Sequence, residues 1–191
     1  MRSHALLLAA GSGRRMGMPK ALVTGEDGQA WVVRTIGALV EGGCDAVTVV
    51  IGADADRVRP LVLAAGGRPV LAEGWDEGMG ASLAAGLAAV AADDPDAEVL
   101  VLMLVDLPDV GAPVVARLLA AAAPDAVNTV VRAAYAGVPG HPVLVGRAHW
   151  DSLAQELAGD RGARDWLAAR SVRLVECGDL ATGVDVDARE G

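Results

Sequence analysis

An apolar run that leads directly into a glycine-rich, basic loop constrains this chain more than any other feature. The stretch from Leu6 to Leu22 reads LLLAAGSGRRMGMPKAL. A buried strand that ends in such a loop presents backbone N–H groups to phosphate, and glycine lets the backbone approach the ligand closely. Arginine adds planar pairs of donors, and lysine adds a compact charge. The stretch therefore predicts an α/β fold whose first loop binds a phosphorylated ligand.

The basic residue near the end of this loop is unusual for this composition. Lys20 is the only lysine in the sequence, which otherwise uses arginine. Chance placement of a single lysine is the alternative explanation. Because lysine and arginine bind phosphate in different ways, we interpret Lys20, directly after Pro19, as a phosphate ligand.

Two common nucleotide-binding loops do not fit this stretch. The P-loop requires Gly-Lys-Ser/Thr, which the sequence lacks. The dinucleotide fingerprint requires G-x-G-x-x-G, whereas Gly11, Gly13 and Gly17 form a pattern that is one residue wider. Pro19 also disfavours a helical conformation at Met18. Neither motif describes the loop.

The loop instead fits L-A-A-G-x-G-x-R-M-G-x-P-K-A-L without a gap from Leu8 to Leu22. This pattern resembles the signature loop of the molybdenum cofactor nucleotidyltransferases, which have a Rossmann-like, glycosyltransferase-A-type fold. The resemblance implies one α/β domain over residues 1–191, a three-layer α/β/α sandwich with a mostly parallel central sheet. It also implies that the loop wraps a nucleoside triphosphate, with Arg14 at a variable position. The implied nucleotide-binding residues are Ala9, Ala10, Gly11, Gly13, Arg15 and Lys20, and Arg15 and Lys20 are also the implied catalytic cations.

Composition and charge exclude several classes of protein. No apolar run reaches the eighteen or so residues of a membrane-spanning helix, and the first apolar run is too short for a signal sequence. Cys44 and Cys177 lack metal-site spacing and are expected to be thiols of a cytoplasmic protein. The net charge of −9 argues against a nucleic-acid partner. It does not argue against a small anionic substrate, because the first loop is locally basic.

The rest of the chain alternates predicted strands and helices, as expected for an α/β fold. The acidic loop from Asp93 to Asp96 is expected to be solvated, and His4 to have no catalytic role. Strands are predicted at residues 4–9, 46–51, 69–72, 99–105, 128–134 and 172–176, and helices at 31–40, 56–66, from 79 onwards, at 113–123 and around 150–157.

A second glycine-rich segment begins the helix predicted from residue 79. Gly78 to Leu83 reads GMGASL, which resembles the G-M-x-x-S-L element that contacts base and ribose in the same family. Ser82 as a simple helix cap is the alternative. We expect Gly78 and Ser82 to bind the nucleotide, because a helix N-terminus can cap itself and face a ligand at once.

Asp106 follows the most hydrophobic run in the chain, VLVLMLV. The carboxyl end of a buried parallel strand is where α/β sheets bind ligands. A carboxylate beside a triphosphate is repulsive unless a cation lies between them, so we predict that Asp106 is a catalytic Mg²⁺ ligand. The resemblance implies the same role, through the element D-x-P.

Two further elements resemble the acceptor side of the family. The segment from Gly137 to Leu144 reads GVPGHPVL, and the segment from Gly159 to Arg164 reads GDRGAR. By resemblance, His141 and Arg164 contact the phosphorylated acceptor. A purely structural role for His141 and a solvated position for Arg164 are the alternatives.

The C-terminus departs from the family pattern. Relatives have D-[IV]-D-T-P-E-D, whereas this chain reads DVDAREG from Asp185 onwards. Acids at i and i+2 on an extended segment point to opposite faces, so only one is expected to reach the metal. By analogy that residue is Asp187, and a frayed acidic tail is the alternative.

Together the resemblance implies a Mg²⁺-dependent nucleotidyltransferase that joins an NTP to a phosphorylated small molecule and releases pyrophosphate. The methyl group of Ala10 would crowd a purine, which favours CTP, and molybdopterin is the implied acceptor. The resemblance also predicts that the protein docks to a molybdenum hydroxylase. Alternatives are GTP, another phosphorylated acceptor such as a phospholactate of a deazaflavin pathway, a non-catalytic carrier of molybdenum cofactor, and an NAD-binding domain.

Overall fold

A computed structural model of the chain describes residues 1–157 and 162–186. Strands and helices alternate along most of these residues. The strands are β1 (Ser3–Ala9), β2 (Ala46–Ile51), β3 (Arg68–Leu71), β4 (Val99–Leu104), β5 (Val130–Tyr135), β6 (Val138–Gly146) and β7 (Arg173–Glu176). The helices are α1 (Trp31–Glu41), α2 (Ala55–Ala64), α3 (Met79–Asp93), α4 (Ala112–Ala122), α5 (Trp150–Glu156) and α6 (Arg164–Ala168). Among the described residues, no helix combines the length and apolar character needed to cross a bilayer.

The strands form one seven-stranded sheet in the order β3-β2-β1-β4-β6-β5-β7. Strand β1 is parallel to both β2 and β4, and only β6 runs antiparallel to its neighbours. Helix α1 follows β1 on one face of the sheet, and α3 precedes β4 on the other. The predicted fold class, a three-layer α/β/α arrangement with a mostly parallel sheet, is confirmed.

Side chains alternate along the central strands between two cores. In β1, Leu7 belongs to the core beneath α1, α2 and α4, whereas Leu6 belongs to the core beneath α3, α5 and α6. Both faces of the sheet are therefore covered, which explains why β1, β2 and β4 read as continuous apolar runs. Gly86 allows α3 to lie close to the sheet, because a Cβ there would be 2.6 Å from side-chain atoms of Leu6 and Val50.

Strand β6 is absent from the sequence-based expectations. Proline weakens a strand prediction because it cannot donate to the ladder, and this strand contains Pro139 and Pro142. The turn that joins β5 to β6 nevertheless has the backbone conformation of a tight hairpin. Ala136 and Gly137 both have positive φ, at 51° and 80°, as a two-residue hairpin turn requires. Both their N–H groups donate to Glu176, at 2.9 and 3.0 Å.

The residues after β7 cross the carboxyl end of the sheet as a strap, residues 177–186. Arg117 pairs with Asp179 at its start, and Asp109 accepts hydrogen bonds from the N–H and hydroxyl groups of Thr182, at 2.6 and 2.5 Å. Near its end, the Val186 N–H donates to the main-chain oxygen of Asp106 at 3.0 Å. This described part of the C-terminal segment is thus anchored rather than frayed.

A buried polar network lies at the opposite end of the sheet. His4 Nδ1 lies 2.9 Å from Asp94, its Nε2 lies 2.9 Å from the Thr48 hydroxyl, and Arg2 donates to Asp94 at 2.6 Å. His4 and Asp94 are only 4% and 5% exposed. The expectation that the loop from Asp93 to Asp96 is solvated is therefore wrong for Asp94, because two partners distant in sequence compensate its burial.

We expect Asp94→Asn to lower the free energy of unfolding by about 2–3 kcal/mol at pH 7, the scale of lost hydrogen bonds to a charged group. Burial raises the pKa of Asp94, but hydrogen bonds from Arg2 and His4 outweigh it and leave that pKa below its ordinary value. A carboxylate with a depressed folded-state pKa stabilises the fold above its unfolded pKa of about 3.9 and loses this contribution below it. Urea unfolding at pH 7 and at decreasing pH measures the free energy of unfolding of the wild type and of Asp94→Asn. The difference between the two should keep its full size above pH ~4 and shrink below it. Asp96→Asn, at an exposed site, is the control, and an equal loss in both variants would contradict the assignment.

Candidate functional site

A cleft opens at the carboxyl ends of β1 and β4, where the connections of these two strands lie on opposite faces of the sheet. Strands β1 and β4 are adjacent and parallel, with Leu8 beside Leu104, while α1 and α3 lie on opposite faces. This is the position at which open α/β sheets bind ligands. The cleft has a volume of about 410 Å³, within the range of nucleotide-sized ligands.

The glycine-rich loop forms one wall of the cleft in a conformation that its sequence requires. Gly13 has φ +58°, and a Cβ at this position would lie 1.9 Å from the main-chain oxygen of Met18. The Met16 N–H donates to the Gly13 oxygen at 2.8 Å and closes a turn around the two arginines. By contrast, nothing lies within 4 Å of a Cβ built at Gly11, so the backbone there borders open space in the cleft.

We expect Gly13→Ala to weaken nucleotide binding at least tenfold, because the loop must rearrange to relieve the contact with Met18. The positive φ adds strain of about 1 kcal/mol or more. Calorimetric titration with Mg-CTP measures the affinity. Gly37→Ala is the matched control, since Gly37 lies in α1 with nothing near its Cβ position. The control should bind normally and melt at the same or a slightly higher temperature, and normal binding by Gly13→Ala would contradict the role of the loop.

Lys20 and Asp106 meet at the floor of this cleft. Lys20 begins a short 3-10 turn after Pro19, and Asp106 follows β4. The Lys20 ammonium lies 2.8 Å from Asp106 Oδ2, and the two side chains are 17% and 19% exposed. Residues 86 positions apart in the sequence thus form a partly buried ion pair beside the phosphate-binding loop.

Asp106 also has capacity for a cation. Its Oδ1 atom is buried and has no hydrogen-bond partner among the described residues. No cluster of three or more potential metal ligands occurs within residues 1–157 and 162–186. A Mg²⁺ ion that uses one or two carboxylates, several waters and substrate phosphates needs no larger cluster. The chemistry of Asp106 therefore fits a magnesium ion that arrives with a phosphorylated ligand.

The start of α3 forms the opposite wall. Gly78 precedes the helix with φ 126°, and Met79 and Ser82 line the cleft. Ser82 does not cap the helix through its side chain. Trp75 also lines the cleft, next to Gly52, where a Cβ would lie 2.5 Å from the indole. A broad aromatic surface therefore lies next to Ala10, at the end of β1.

Most of the nucleotide-binding residues that the sequence predicts lie in the lining of this cleft. Arg15 is exposed and is not among the lining residues, whereas Arg14, which occupies the variable position of the motif, does line it. Asp187 lies outside the described residues. The lining includes Ala9, Ala10, Gly11, Gly13, Lys20, Gly78, Ser82 and Asp106.

The two predicted acceptor residues lie beside the cleft rather than in its lining. Val143 of β6 pairs with Leu102 of β4, which brings His141 to the level of the cleft wall. Burial and then the charge of Arg132 lower the pKa of His141 to about 4. The imidazole is therefore neutral at pH 7 and can contact phosphate as a hydrogen-bond partner but not as a cation.

The start of α6 reaches the rim of the same cleft. A Cβ at Gly162 would lie 3.2 Å from the sulfur of Met79. Arg164 follows two residues later and is exposed. Sequence reasoning missed Arg132, a partly buried arginine on β5. Its positive charge helps to lower the pKa of His141, and its own pKa is lowered by burial and then by the charge of Arg164.

Comparison with known proteins agrees with this geometry. Residues 5–174 match the family described as the MobA-like NTP transferase domain. The chain is 34% identical over 195 residues to nicotine blue oxidoreductase of Paenarthrobacter nicotinovorans, and the match covers 97% of this chain and 92% of that protein.

Solved structures share the fold over nearly the whole chain. Rv0371c of Mycobacterium tuberculosis H37Rv superposes with a TM-score of 0.80 at 30% identity, covering 98% of this chain and 93% of that one. A second structure of Rv0371c, in complex with manganese, gives a TM-score of 0.77 at 28% identity over 97% and 94% of the two chains. A nucleotidyl transferase from Methanothermobacter has a TM-score of 0.80 at 22% identity, over 98% and 92%.

Proposed function

Because the chain belongs to the MobA-like NTP transferase family and is thereby a nucleotidyltransferase, we propose that it transfers a cytidylyl group from CTP to a phosphorylated small molecule. The observation that carries the proposal is the pairing of Lys20 with Asp106, 2.8 Å apart, beneath a glycine-rich loop. A phosphate-binding cation and a metal-binding carboxylate are the two charges that nucleotidyl transfer requires.

In the proposed reaction, a phosphate oxygen of the acceptor attacks the α-phosphorus of CTP in line. A new P–O–P linkage forms, the bond from the α-phosphorus to the bridging oxygen breaks, and its electron pair leaves with pyrophosphate. The protein mainly positions the two anions and balances their charge. Lys20 and the loop arginines, with Arg15 in the predicted catalytic role, stabilise negative charge on the α-phosphate and on pyrophosphate.

We propose Mg²⁺ as the cofactor. Asp106, with its unpartnered Oδ1, would hold the ion, and Asp187 is the proposed second ligand. When bound, the ion neutralises triphosphate charge and acts as a Lewis acid. The manganese complex of Rv0371c supports a divalent ion in proteins of this fold.

Ala10 supports the choice of CTP. The residue is 5% exposed at the end of β1 and lines the cleft. Its methyl group would narrow the space for a base beside Trp75, which suits a pyrimidine better than a purine. Leu-Ala-Ala-Gly at this place also resembles the cytidylyl branch of the molybdenum cofactor enzymes.

The experiment is pyrophosphate release with molybdopterin as acceptor and each of the four NTPs. We expect CTP to be the preferred donor, and Ala10→Gly to shift the CTP-to-GTP ratio of kcat/KM at least tenfold towards GTP, because removing the methyl group opens the base site. Gly37→Ala is again the control and should retain the CTP preference. An unchanged ratio in Ala10→Gly would contradict the role of this residue.

Molybdopterin is the proposed acceptor by resemblance, and the product would be its cytosine dinucleotide. Other phosphorylated acceptors, including a phospholactate, are assayed in the same way. We further propose a cytoplasmic location, supported by the buried free thiols of Cys44 and Cys177, and docking to a molybdenum hydroxylase that receives the product.

The relative named nicotine blue oxidoreductase favours a second candidate, a redox function on the same fold. Such a function needs a reductant, and a nicotinamide dinucleotide is the occupant to test. Stabilisation by NADH or NADPH, without stabilisation by any Mg-NTP, would favour this candidate. Binding of molybdenum cofactor without metal-dependent pyrophosphate release would favour a carrier.

A further inference from the structure

Arg132 is partly buried on β5, yet it forms no salt bridge with any acid that the structure describes. Six other arginines of this acidic chain do form such salt bridges, namely Arg2, Arg34, Arg57, Arg68, Arg117 and Arg170. Burial, followed by the like charge of Arg164, lowers the pKa of Arg132. Neither arginine has a salt-bridge partner among the residues that the structure describes.

Two backbone carbonyls fix the Arg132 guanidinium while leaving donors available. Its Nε donates to the Gly140 oxygen at 2.7 Å, and its Nη2 donates to the Pro139 oxygen at 3.3 Å. Nη1 makes no hydrogen bond within the described part of the chain and is not buried. An oriented guanidinium with free N–H groups matches the oxygens of a phosphate or carboxylate.

The position of Arg132 is suitable for a second substrate beside the nucleotide cleft. Val143 pairs with both Leu102 of β4 and Arg132 of β5, so Arg132 lies two strand spacings, about 10 Å, from β4. Its contacts with Pro139 and Gly140 direct the guanidinium towards the carboxyl end of β4. The start of α6, next to Met79 at the cleft rim, brings Arg164 to the same side.

We propose that Arg132, together with Arg164, forms the binding site for the anionic group of the acceptor. This inference rests on the proposed nucleotidyl transfer and adds to it the residue that orients the acceptor. A bound phosphate would supply the negative charge that these two arginines lack. The neutral imidazole of His141 can then accept or donate a hydrogen bond at the edge of the site without attracting an anion itself.

The test is a titration with inorganic phosphate while the nucleotide site is filled with Mg²⁺ and α,β-methylene-CTP, which cannot be cleaved. Ring signals of His141 report binding by NMR, and with 3 histidines in the chain they can be assigned by substitution. We expect saturable shifts in the wild type and an apparent Kd at least tenfold higher in Arg132→Gln. Arg57→Gln, at an exposed site, is the matched control and should titrate as the wild type does.

Two further variants keep the test decisive. Arg132→Lys should recover part of the affinity, because it keeps the charge but loses the two-carbonyl anchor. If Arg132→Gln fails to fold, Arg164→Gln serves instead, since Arg164 is exposed and should show the same loss. In Arg132→Gln without phosphate, the pKa of His141 should rise above about 4 because a neighbouring positive charge is removed.

The outcomes separate this inference from the proposed function. Wild-type phosphate affinity in Arg132→Gln, with the nucleotide analogue bound, would overturn the assignment of Arg132 and leave nucleotidyl transfer intact. Failure of the analogue to bind the wild-type protein would instead contradict the proposed function. Shifts of His141 that do not saturate in the wild type, or that follow the wild-type titration in both Arg132→Gln and Arg164→Gln, would also overturn the site.

Discussion

Asp106→Asn is expected to reduce turnover by at least about 10³-fold, equivalent to about 4 kcal/mol of transition-state stabilisation. The substitution keeps the size of the side chain and leaves the main-chain hydrogen bond from Val186 in place. It removes the charge that would hold Mg²⁺ and that pairs with Lys20 at 2.8 Å. The loss should therefore appear in kcat, while the protein stays folded.

Binding measured with and without metal distinguishes a metal ligand from a general defect. With Mg²⁺, calorimetry should show weaker CTP binding in Asp106→Asn than in the wild type. Without Mg²⁺, the variant should bind CTP at least as tightly, because a carboxylate that repels the triphosphate is gone. Weaker binding of equal size in both conditions would contradict the assignment, as would turnover within tenfold of wild type.

The acids near the C-terminus offer a matched control. Asp185 is exposed and lies two residues before Asp187, the predicted second ligand. Asp187→Asn should reduce turnover, whereas Asp185→Asn should leave it near wild type. The opposite pattern would transfer the metal role to Asp185.

Lys20→Met is expected to strengthen the binding of a metal ion and to weaken the binding of the nucleotide. We expect the Lys20 ammonium and a divalent ion to compete for the same carboxylate, because the ammonium lies 2.8 Å from Asp106 Oδ2. Removing the ammonium should strengthen Mn²⁺ binding to the nucleotide-free protein about tenfold, or about 1.4 kcal/mol. It should also weaken Mg-CTP binding and reduce turnover at least 10²-fold, since a phosphate ligand is lost.

Free Mn²⁺ counted by electron paramagnetic resonance gives the metal affinity without any need for activity. Lys20→Arg is the control, because it keeps the positive charge beside Asp106 and should not raise Mn²⁺ affinity. Its turnover should still fall, since a planar guanidinium does not replace a compact ammonium. Lower Mn²⁺ affinity in Lys20→Met would contradict competition between the ammonium and the metal.

The residues of the nucleotide cleft could be predicted because their signals are local. The loop from Leu8 to Leu22 combines glycine positions, adjacent charges and a preceding apolar run in one continuous stretch. Asp106 ends an apolar run, and strand ends at one edge of a parallel sheet meet in space. Such features need no knowledge of distant contacts.

Arg132 and Asp94 could not be predicted because their environments are made by residues far along the chain. A single arginine in an apolar strand is typical of a solvent-facing position, and only the fold brings the charge of Arg164 close enough to lower the pKa of Arg132. Asp94 sits in an acidic, proline-containing loop, which suggests a solvated position. Its burial depends on His4 and Arg2, about ninety residues earlier.

The measurement that tests the central claim most directly is the thermal stability of the purified protein with Mg²⁺ and each of CTP, GTP, ATP and UTP, repeated for Asp106→Asn. Ligand that binds only the folded state at 100 times its Kd stabilises by about 2.7 kcal/mol, which a melting curve resolves. We predict selective stabilisation by Mg-CTP that is lost in the variant. Stabilisation by Mg-GTP alone would overturn the role of Ala10 and keep the enzyme class, whereas no response to any nucleotide would contradict the account of the cleft as a nucleotide site.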